Sequence, residues 1–269
     1  MLLLLQQSCD KLLELRRGSG TDGHQYTINV LCLVNDTIAT LAAASFLDNE
    51  TSVAVIAGTG TNAAYIMRQN NEDESGLIKG EKMINIEWGN FGSKRLINYC
   101  DEGNSALENN FYLDADYCVQ QNSQNPGAQY LEKMTSGLYL GEISHRIIMQ
   151  ILKELSLSEY VKADGAFMTT PEMSKIDNPD AWHGETLNME RAILKTVFGL
   201  QEENNVTCHI VFVIRQVCKL VRMRAAQLLG SVLAAVLSVA EPPWSHCERK
   251  SSRRIGVAVD GNQCVTTFR

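Results

Sequence analysis

The sequence lacks the surplus of basic residues that a nucleic-acid-binding surface usually needs. Its 269 residues include 24 lysines and arginines against 31 aspartates and glutamates, which gives a net charge of -7 at pH 7. This balance argues against a nucleic-acid partner. The basic stretch around Arg249 and Arg254 is short, so a solvated loop is the preferred interpretation and a binding patch the alternative.

Cysteines with the spacing of zinc ligands are also missing. None of the 8 cysteines forms a C-x-x-C pair, and two adjacent cysteine–histidine pairs lack the spacing of a zinc motif, so a zinc site is not expected. Cys32 lies in an apolar run and Cys218 in a predicted helix, which is typical of reduced, buried thiols. The sequence therefore favours a reducing compartment and a cytoplasmic protein, and it leaves association with an organelle open.

No apolar run stands out as long enough to span a bilayer, and we expect no transmembrane segment. The N-terminal stretch MLLLLQQSCDKLLELRRGSG has four leucines after Met1, but this apolar run is too short for a signal peptide and no basic residue precedes it. Leu5, Leu12 and Leu13, followed by two arginines and Gly18, predict instead an amphipathic helix that ends at the glycine.

The remaining sequence has a mixed α/β pattern. Short runs of apolar and β-branched residues predict strands, and these runs lie at 28–34, 51–57, 62–68, 83–87 and 255–259. Apolar residues near helical spacing predict helices at 37–46, from Pro126 to about residue 155 as one long helix, and at 206–237. The polar stretch 90–125 is interpreted as a loop excursion.

Polar residues and glycines follow three of the predicted strands. Asn35 and Asp36 follow the first strand, Gly58-Thr59-Gly60 follows the second, and Asp260-Gly261 follows the last. Ligands of open α/β sheets bind at the carboxyl ends of strands. These three strand ends are therefore candidate parts of one site.

Each candidate also has an ordinary structural interpretation. Asp36 taken alone is more simply a helix N-cap, which leaves Asn35 unexplained. The Gly58-Thr59-Gly60 stretch is either a hairpin turn or a concavity of backbone N–H groups for phosphate, and it matches neither the Walker A nor the Rossmann pattern. Glu87 ends a predicted strand, next to a tryptophan, and a carboxylate in such a place commonly binds hydroxyls. Glu132 fits an acid that stabilises a helix N-terminus.

Together these amides, carboxylates and hydroxyls lack the pattern of a metal site or a catalytic triad, and they suit a polyhydroxyl substrate with a phosphate donor. The segments LVNDTIATL, IAGTGTNAAY, INIEWGNFG, NPGAQYLEKMTSGLYLGE and VAVDG occur in this order. In that order they resemble the larger domain of eukaryotic hexokinases, and EWGNF looks closer to the plant-type branch. The resemblance spans about residues 31–261, which is most of the chain.

The resemblance implies an actin-like ATPase fold with a ribonuclease-H-like sheet. It also implies transfer of the ATP γ-phosphoryl group to the C6 hydroxyl of glucose or a related hexose, with Mg²⁺. By motif match, Asp36 is the general base that takes the hydroxyl proton. The residues that would hydrogen-bond the sugar are Asn35, Asn62, Glu87, Gln129 and Glu132. Those that would face the nucleotide are Gly58, Thr59, Gly60, Ser174, Asp260 and Gly261, and no residue is assigned to a metal.

The family pattern also includes an L-D-L-G-G-T-N phosphate loop and a Thr-Lys sugar-binding segment, and neither is found in this sequence. We therefore expect residues 1–269 to form an incomplete large domain that is weakly active or inactive as a kinase. The reason is that the reaction needs donors on both sides of the phosphoryl group and closure of the cleft. The alternatives are a non-catalytic sugar-binding or sensor relative and an inactive fragment. The sequence leaves the hexose preference and the oligomeric state open.

Overall fold

The computed structural model describes residues 6–8, 10–11, 28–30, 32–68, 81–92, 112–162, 166–177, 185–200, 205–240 and 254–261. The helices are α1 (Asp36–Leu47), α2 (Asp114–Asn122), α3 (Tyr130–Thr135), α4 (Leu140–Glu154), α5 (Thr170–Ile176), α6 (Glu185–Phe198) and α7 (Asn205–Ala240). The strands are β1 (Thr51–Ala57), β2 (Thr61–Arg68), β3 (Glu81–Asn85) and β4 (Gly256–Asp260). Short 3₁₀ helices cover Trp88–Asn90 and Ser158–Tyr160.

The four strands form one sheet in the order β3-β2-β1-β4. β1 and β2 are antiparallel neighbours in a hairpin, and β3 pairs antiparallel with β2. β4, the last strand in sequence, pairs parallel with β1. The carboxyl ends of β1, β3 and β4 therefore lie at the same edge of the sheet as the start of β2. We call this edge the carboxyl edge.

Alternating side chains give the sheet two buried faces, because successive residues of a strand point to opposite sides. The first face packs against α1 through a small cluster, Leu41, Ala54, Ala64 and Ile66. The second face packs against α3 and α7 through a larger cluster, Val53, Val55, Ala57, Ala63, Leu131 and Leu229. Burial on both sides explains the nearly continuous apolar sequence of β1.

The 36-residue helix α7 is tied to other parts of the helical layer by three arginine–carboxylate pairs. They are Arg224–Asp116, Arg215–Glu190 and Arg222–Asp177, which reach α2, α6 and the end of α5. In the first, Arg224 donates to both carboxylate oxygens of Asp116, at 3.1 and 2.6 Å. Burial raises the pKa of Asp116, against the opposing effect of Arg224. This pair therefore fixes the position of α2 through a charge that is costly to leave unpaired.

Most of the predicted elements are confirmed within a few residues. These are the helices at 37–46 and 206–237, and the strands at 51–57, 62–68 and 255–259. The strand predicted at 83–87 ends earlier, at Asn85, so Glu87 lies beyond it. Residues 6–8 and 10–11 of the N-terminal helix are helical. The rest of that helix and the basic stretch around Arg249 lie outside the described residues.

The buried strand predicted at 28–34 is wrong. The described residues of this run are not in a strand, and all but one of them are exposed. The side chain of Gln6 takes the backbone hydrogen bonds that a neighbouring strand would have made. Its amide donates to the carbonyl oxygen of Ile28 at 2.7 Å and accepts from the N–H of Val30 at 2.7 Å. Cys32 in this run is exposed, contrary to the prediction, whereas Cys218 is buried.

Two predictions on helices are also corrected. The loop excursion predicted at 90–125 contains α2, because Ala115 of this polar segment packs into the core beside α4. The single helix predicted from Pro126 is two helices, α3 and α4. At the break between them, the backbone N–H of Gly137 donates to the carbonyl oxygen of Gly58 at 2.8 Å. Both corrections come from contacts with distant parts of the chain.

The expectation that no segment could span a bilayer is wrong by length and composition. The helical stretch Val206–Ala240 has a mean hydropathy of 1.6 in its most apolar part and is long enough to cross a membrane. This is weak evidence for a span, because the core helix of a globular fold passes the same test. Ile210, Ile214 and Cys218 of this helix are fully buried in the main core, so this part of the helix serves the fold.

Candidate functional site

Helix α1 brings Asn35 and Asp36 toward the carboxyl edge. The chain reverses after α1, where the N–H of Thr51 donates to the carbonyl oxygen of Asp48 at 2.9 Å, so α1 runs back along the sheet relative to β1. The 12 residues of α1 rise about 18 Å, and the 7 residues of β1 about 23 Å. The start of α1 therefore lies close to the level at which β1 ends.

Asn35, and not Asp36, is the N-cap of α1, which corrects the structural interpretation of Asp36. The N–H of Thr37 donates to Oδ1 of Asn35 at 2.8 Å and to Oδ1 of Asp36 at 2.7 Å. The hydroxyl of Thr37 donates to the same Asp36 oxygen at 3.2 Å. Within the described part of the chain, no hydrogen bond reaches Oδ2 of Asp36. The exposed carboxylate is thus oriented through one oxygen and open at the other.

The late strand β4 delivers Asp260 and Gly261 to the end of β1, as expected for two parallel neighbours. Asp260 lies opposite Ile56 in the register of these strands. Gly261 has φ +117°, and a Cβ here would lie 2.4 Å from the carbonyl oxygen of Ala57, so only glycine fits. The N–H of Gly261 donates to Oδ1 of Asp260 at 2.7 Å. The Asp260-Gly261 pair and the glycine turn therefore adjoin.

The turn at Gly58-Thr59-Gly60 is a hairpin turn that other segments hold in place. The N–H of Gly58 donates to the carbonyl oxygen of Gly60 at 2.9 Å, and the carbonyl oxygen of Thr59 accepts from the N–H of Leu138 at 3.3 Å. Among the described residues, no acceptor is found for the N–H groups of Thr59 and Gly60. The hairpin interpretation is confirmed, and two N–H groups stay open beside an exposed threonine hydroxyl.

Glu132 fastens α3 to the start of β2. Its Oε2 accepts from the N–H of Thr61 at 3.0 Å. The Thr61 hydroxyl in turn donates to the carbonyl oxygen of Ile56 and accepts from Nε1 of the buried Trp88, both at 3.0 Å. Glu132 thus has a long-range partner beyond the helix N-terminus, and its second oxygen has no partner among the described residues.

Burial shifts the pKa of two side chains close to Glu132. It lowers the pKa of Lys133, and the nearby Glu132 partly offsets this. The ammonium of Lys133 donates to the carbonyl oxygen of Asn125 at 2.7 Å, which anchors the turn before α3. Burial also raises the pKa of Tyr139, and Glu132 and Glu142 add to that shift. The surroundings of Glu132 are therefore partly closed to water.

Asn62, Asn85 and Glu87 form a connected group of side chains at the carboxyl edge, which we call the amide–carboxylate cluster. Nδ2 of Asn62 donates to Oδ1 of Asn85 at 2.8 Å and to Oε1 of Glu87 at 3.1 Å. Nδ2 of Asn85 donates to the same Glu87 oxygen at 2.5 Å. The N–H of Glu87 donates to Oδ1 of Asn62 at 2.9 Å. The predicted sugar residues Asn62 and Glu87 are therefore in direct contact.

Gln129 lies next to this cluster through the 3₁₀ helix that follows Glu87. Its N–H donates to Oδ1 of Asn90 at 2.9 Å, and its side-chain oxygen would lie 2.4 Å from a Cβ at Gly89. Gln129 and Glu87 both have left-handed backbones, with φ 56° and 54°. Such conformations store strain of about 1–3 kcal/mol in residues other than glycine and are enriched at binding sites.

The structure does not join Ser174 to this site. Ser174 lies on α5, which packs in the helical layer against α4, α6 and α7. Sequence reasoning in turn missed Asn85, which holds Asn62 and Glu87 together. A signal was available, because Asn85 precedes Glu87 by two residues and alternate residues of a strand lie on one side.

The site as a whole is a sheet edge of uncharged amides, hydroxyls and carboxylates. Asp36, Glu87, Glu132 and Asp260 supply the acceptors, and within the described residues no group of three or more His, Cys, Asp or Glu side chains could hold a metal ion. Carboxylates and amides bind hydroxyl groups of neutral ligands through directed hydrogen bonds. The fold and the site therefore define an α/β protein suited to a polyhydroxyl ligand.

Comparisons with known proteins agree with this class. The sequence model of the hexokinase family matches residues 52–268. Hexokinase-2 of Solanum tuberosum is 34% identical over 242 residues, 87% of this chain and 44% of that protein. Hexokinase-2 of Homo sapiens is 35% identical over 221 residues, 79% of this chain and 22% of that protein. The solved hexokinase from Schistosoma mansoni complexed with glucose has a TM-score of 0.67 and 26% identity, over 89% of this chain and 49% of that one.

The chain belongs to the hexokinase family. A second crystal structure of a hexokinase, with a TM-score of 0.63 and 23% identity, agrees on the fold. The predicted fold class is confirmed, since the mixed α/β sheet is consistent with an actin-like ATPase fold. The chain spans 44% of the potato relative's length and 49% of the schistosome structure's length.

Proposed function

We propose that this chain carries the hexose-binding side of a hexokinase and its catalytic base. The reaction is transfer of the γ-phosphoryl group of ATP to the C6 hydroxyl of a hexose, and glucose is the first candidate. The observation that supports this proposal is that the amide–carboxylate cluster and the glycine turn share one sheet edge, toward which the direction of α1 carries Asp36. A relative of the same family was solved with glucose bound.

Asp36 has the features that a general base needs. Thr37 holds Oδ1 through two hydrogen bonds, at 2.7 and 3.2 Å, so the side chain is oriented before substrate arrives. Oδ2 can then accept the proton of a sugar hydroxyl as that hydroxyl attacks phosphorus. The helix N-terminus behind Asp36 stabilises the negative charge of the carboxylate. Proton acceptance and hydroxyl orientation are thus assigned to one exposed oxygen.

The sugar is held by acceptors at the same edge. Glu87 and Glu132 each use one carboxylate oxygen inside the protein, at 3.1 and 3.0 Å from their partners, and each keeps a second oxygen for a hydroxyl donor. Gln129 and Asn35 add side-chain amides at either side of this edge. A ring of fixed acceptors favours a ligand with several hydroxyl groups over a hydrocarbon or an anion.

The nucleotide is placed at the glycine turn. The N–H groups of Thr59 and Gly60 and the Thr59 hydroxyl are suited to phosphate oxygens, and Asp260-Gly261 forms the adjacent wall. The four carboxylates of the site repel a bare triphosphate. Mg²⁺, which the family resemblance implies, would supply the compensating charge as part of the nucleotide co-substrate. Ser174 stays a prediction for the nucleotide side.

The proposed compartment rests on the state of the cysteines. Cys32, Cys118, Cys208 and Cys218 are all free thiols in the described structure. Free thiols persist where glutathione and thioredoxin keep cysteines reduced. We therefore place the protein in the cytoplasm, and fractionation with a compartment marker tests this.

The experiment is glucose-dependent release of ADP from ATP and Mg²⁺ by the purified 269-residue chain, with Asp36→Asn as the base-deficient variant. Turnover that is lost in Asp36→Asn supports the kinase assignment, and robust turnover overturns the expectation that this chain is weakly active or inactive. Glucose binding by calorimetry without turnover supports the sugar-binding alternative. Absence of both glucose binding and turnover contradicts the proposed function. Galactose, fructose and mannose in parallel assays give the hexose preference.

A further inference from the structure

The amide of Asn62 is fully used inside the protein. An asparagine side chain can donate two hydrogen bonds and accept two. Asn62 donates to Asn85 and Glu87 at 2.8 and 3.1 Å, and it accepts from the N–H groups of Ala63 and Glu87 at 2.7 and 2.9 Å. A sugar hydroxyl that bound Asn62 would therefore have to displace an existing bond. Asn62 in this structure orders its neighbours.

Asn85 and Glu87 keep the open capacity of the cluster. Asn85 uses one N–H toward Oε1 of Glu87, at 2.5 Å, and accepts one bond from Asn62. Oε1 of Glu87 accepts from both asparagines. Within the described part of the chain, the second N–H of Asn85 and Oε2 of Glu87 have no partner. The cluster therefore presents one donor and one acceptor side by side to solvent.

The backbone explains why Asn85 must hold Glu87. Asn85 is the last residue of β3 and lies opposite Ala64 in the ladder with β2, so its Cβ position is fixed by the sheet. Glu87 lies beyond the strand in a left-handed conformation with φ 54°, which is unfavourable for a residue with a side chain. Such a conformation persists when surrounding bonds determine it. Asn85, whose position is fixed by the sheet, donates one of the hydrogen bonds that hold Glu87 in this conformation.

We propose that Asn85 is a positioning residue for hexose recognition, which holds Glu87 and Asn62 in one orientation and directs Oε2 of Glu87 to the ligand. This inference rests on the proposed function, because it concerns the sugar side of the same site. It differs from the family resemblance, which assigns sugar contacts to Asn62 and Glu87 and no role to Asn85. The physical basis of the positioning role is the charge-assisted hydrogen bond from Asn85 to Glu87, which is lost when Asn85 is replaced.

The test compares glucose affinity, by calorimetry at pH 7, in the wild-type chain and in Asn85→Ala, Asn85→Asp and the control Met83→Ala. Met83 lies on the same strand and the same side as Asn85 and is partly exposed. We expect Asn85→Ala to weaken glucose binding by about tenfold or more, as for loss of a hydrogen bond to a charged group. Met83→Ala should bind like wild type.

Asn85→Asp gives a pH dependence of glucose affinity that a purely structural role of Asn85 would not produce. It keeps the shape of Asn85 but places a second carboxylate against Glu87, so the two repel and binding at pH 7 falls. At pH 5 the facing carboxyl groups can share a proton, and we expect affinity to recover in part. Asn85→Ala should show no such recovery.

The outcomes distinguish the positioning role of Asn85 from the proposed function. If wild type binds glucose and both Asn85 variants bind it equally well, the positioning role is overturned and the proposed function stands. If wild type itself binds no glucose, the proposed function fails and the inference falls with it. Weakened binding in Asn85→Ala with partial recovery of Asn85→Asp at pH 5 supports the role, and thermal unfolding of each variant shows that the fold is intact.

Discussion

Glu132→Ala tests how the hairpin and helix α3 hold the site together. Oε2 of Glu132 accepts the N–H of Thr61 at 3.0 Å across 71 residues of sequence, and Thr61 is buried. Removal of the carboxylate leaves this N–H without an acceptor at the start of β2. A hydrogen bond to a charged group contributes about 1.5–3 kcal/mol, so we expect the free energy of unfolding to fall by that amount.

Glu132→Gln tests how much of this loss in the free energy of unfolding comes from the charge of Glu132. Its amide oxygen can still accept from Thr61, but a neutral acceptor is about half as strong as a charged one. The expected loss is about 0.5–1.5 kcal/mol in the free energy of unfolding. If the second oxygen of Glu132 also binds the sugar, Glu132→Ala should in addition weaken glucose affinity about tenfold, which is about 1.4 kcal/mol.

The assay is urea unfolding, followed by circular dichroism and by the fluorescence of tryptophan. Glu154→Ala is the control, because Glu154 is exposed at the end of α4 and its described contact is a 3.2 Å bond from Gln150. It should change the free energy of unfolding by less than about 0.5 kcal/mol. A Glu132→Ala variant as stable as Glu154→Ala would refute the view that this bond fastens β2 to α3.

Three further predictions concern other parts of the chain. Arg224→Met should lower the free energy of unfolding by about 3–5 kcal/mol, because it leaves Asp116 charged and buried. A second change, Asp116→Leu, should restore part of that free energy, and urea unfolding checks the single and the double variant. Burial, and then Arg146, lowers the pKa of His145, so His145 binds a proton more readily in the unfolded chain than in the folded one. The free energy of unfolding should therefore decrease as pH falls below about 6.5, and it should decrease less steeply in His145→Gln. Asp36→Asn should abolish any phosphorylation of glucose and leave the unfolding midpoint unchanged, since an amide oxygen can still accept from the helix start.

Each of these predictions has a clear contrary result. An Arg224→Met loss below about 1 kcal/mol would mean that the buried pair is solvated. Identical pH profiles of unfolding for wild type and His145→Gln would show that this histidine does not cause the acid dependence. Residual turnover in Asp36→Asn equal to wild type would remove Asp36 from the role of base.

Much of the carboxyl edge can be predicted from local sequence. The turn at Gly58-Thr59-Gly60 lies between two β-branched runs, and this pattern specifies a hairpin wherever the strands are placed. Asn35 precedes helix α1 and Asp36 begins it, and at such a position either side chain can satisfy a free N–H. The order of the motifs indicates the family, because several such local patterns in one order rarely coincide.

The parts that the sequence does not predict depend on partners far along the chain. The run at 28–34 has strand composition, but within the described residues no strand pairs with it, and Gln6 bonds the backbone of Ile28 and Val30 instead. Helix α2 has few apolar residues, and it forms where Asp116 can meet Arg224, 108 positions away. Pairings of this kind are invisible to local periodicity, because they depend on which surfaces the fold brings together.

The sequence by itself determined the four strands of the sheet to within a few residues, the hairpin, the helix start at Asp36 and the family, since each follows from the chemistry of a few neighbouring residues. Tertiary structure alone decided that Glu132 binds Thr61 and that Asn85 joins Asn62 to Glu87. The physical reason is that a hydrogen bond forms between groups that meet in space. Only the register of the sheet and the packing of the helices determine which groups meet.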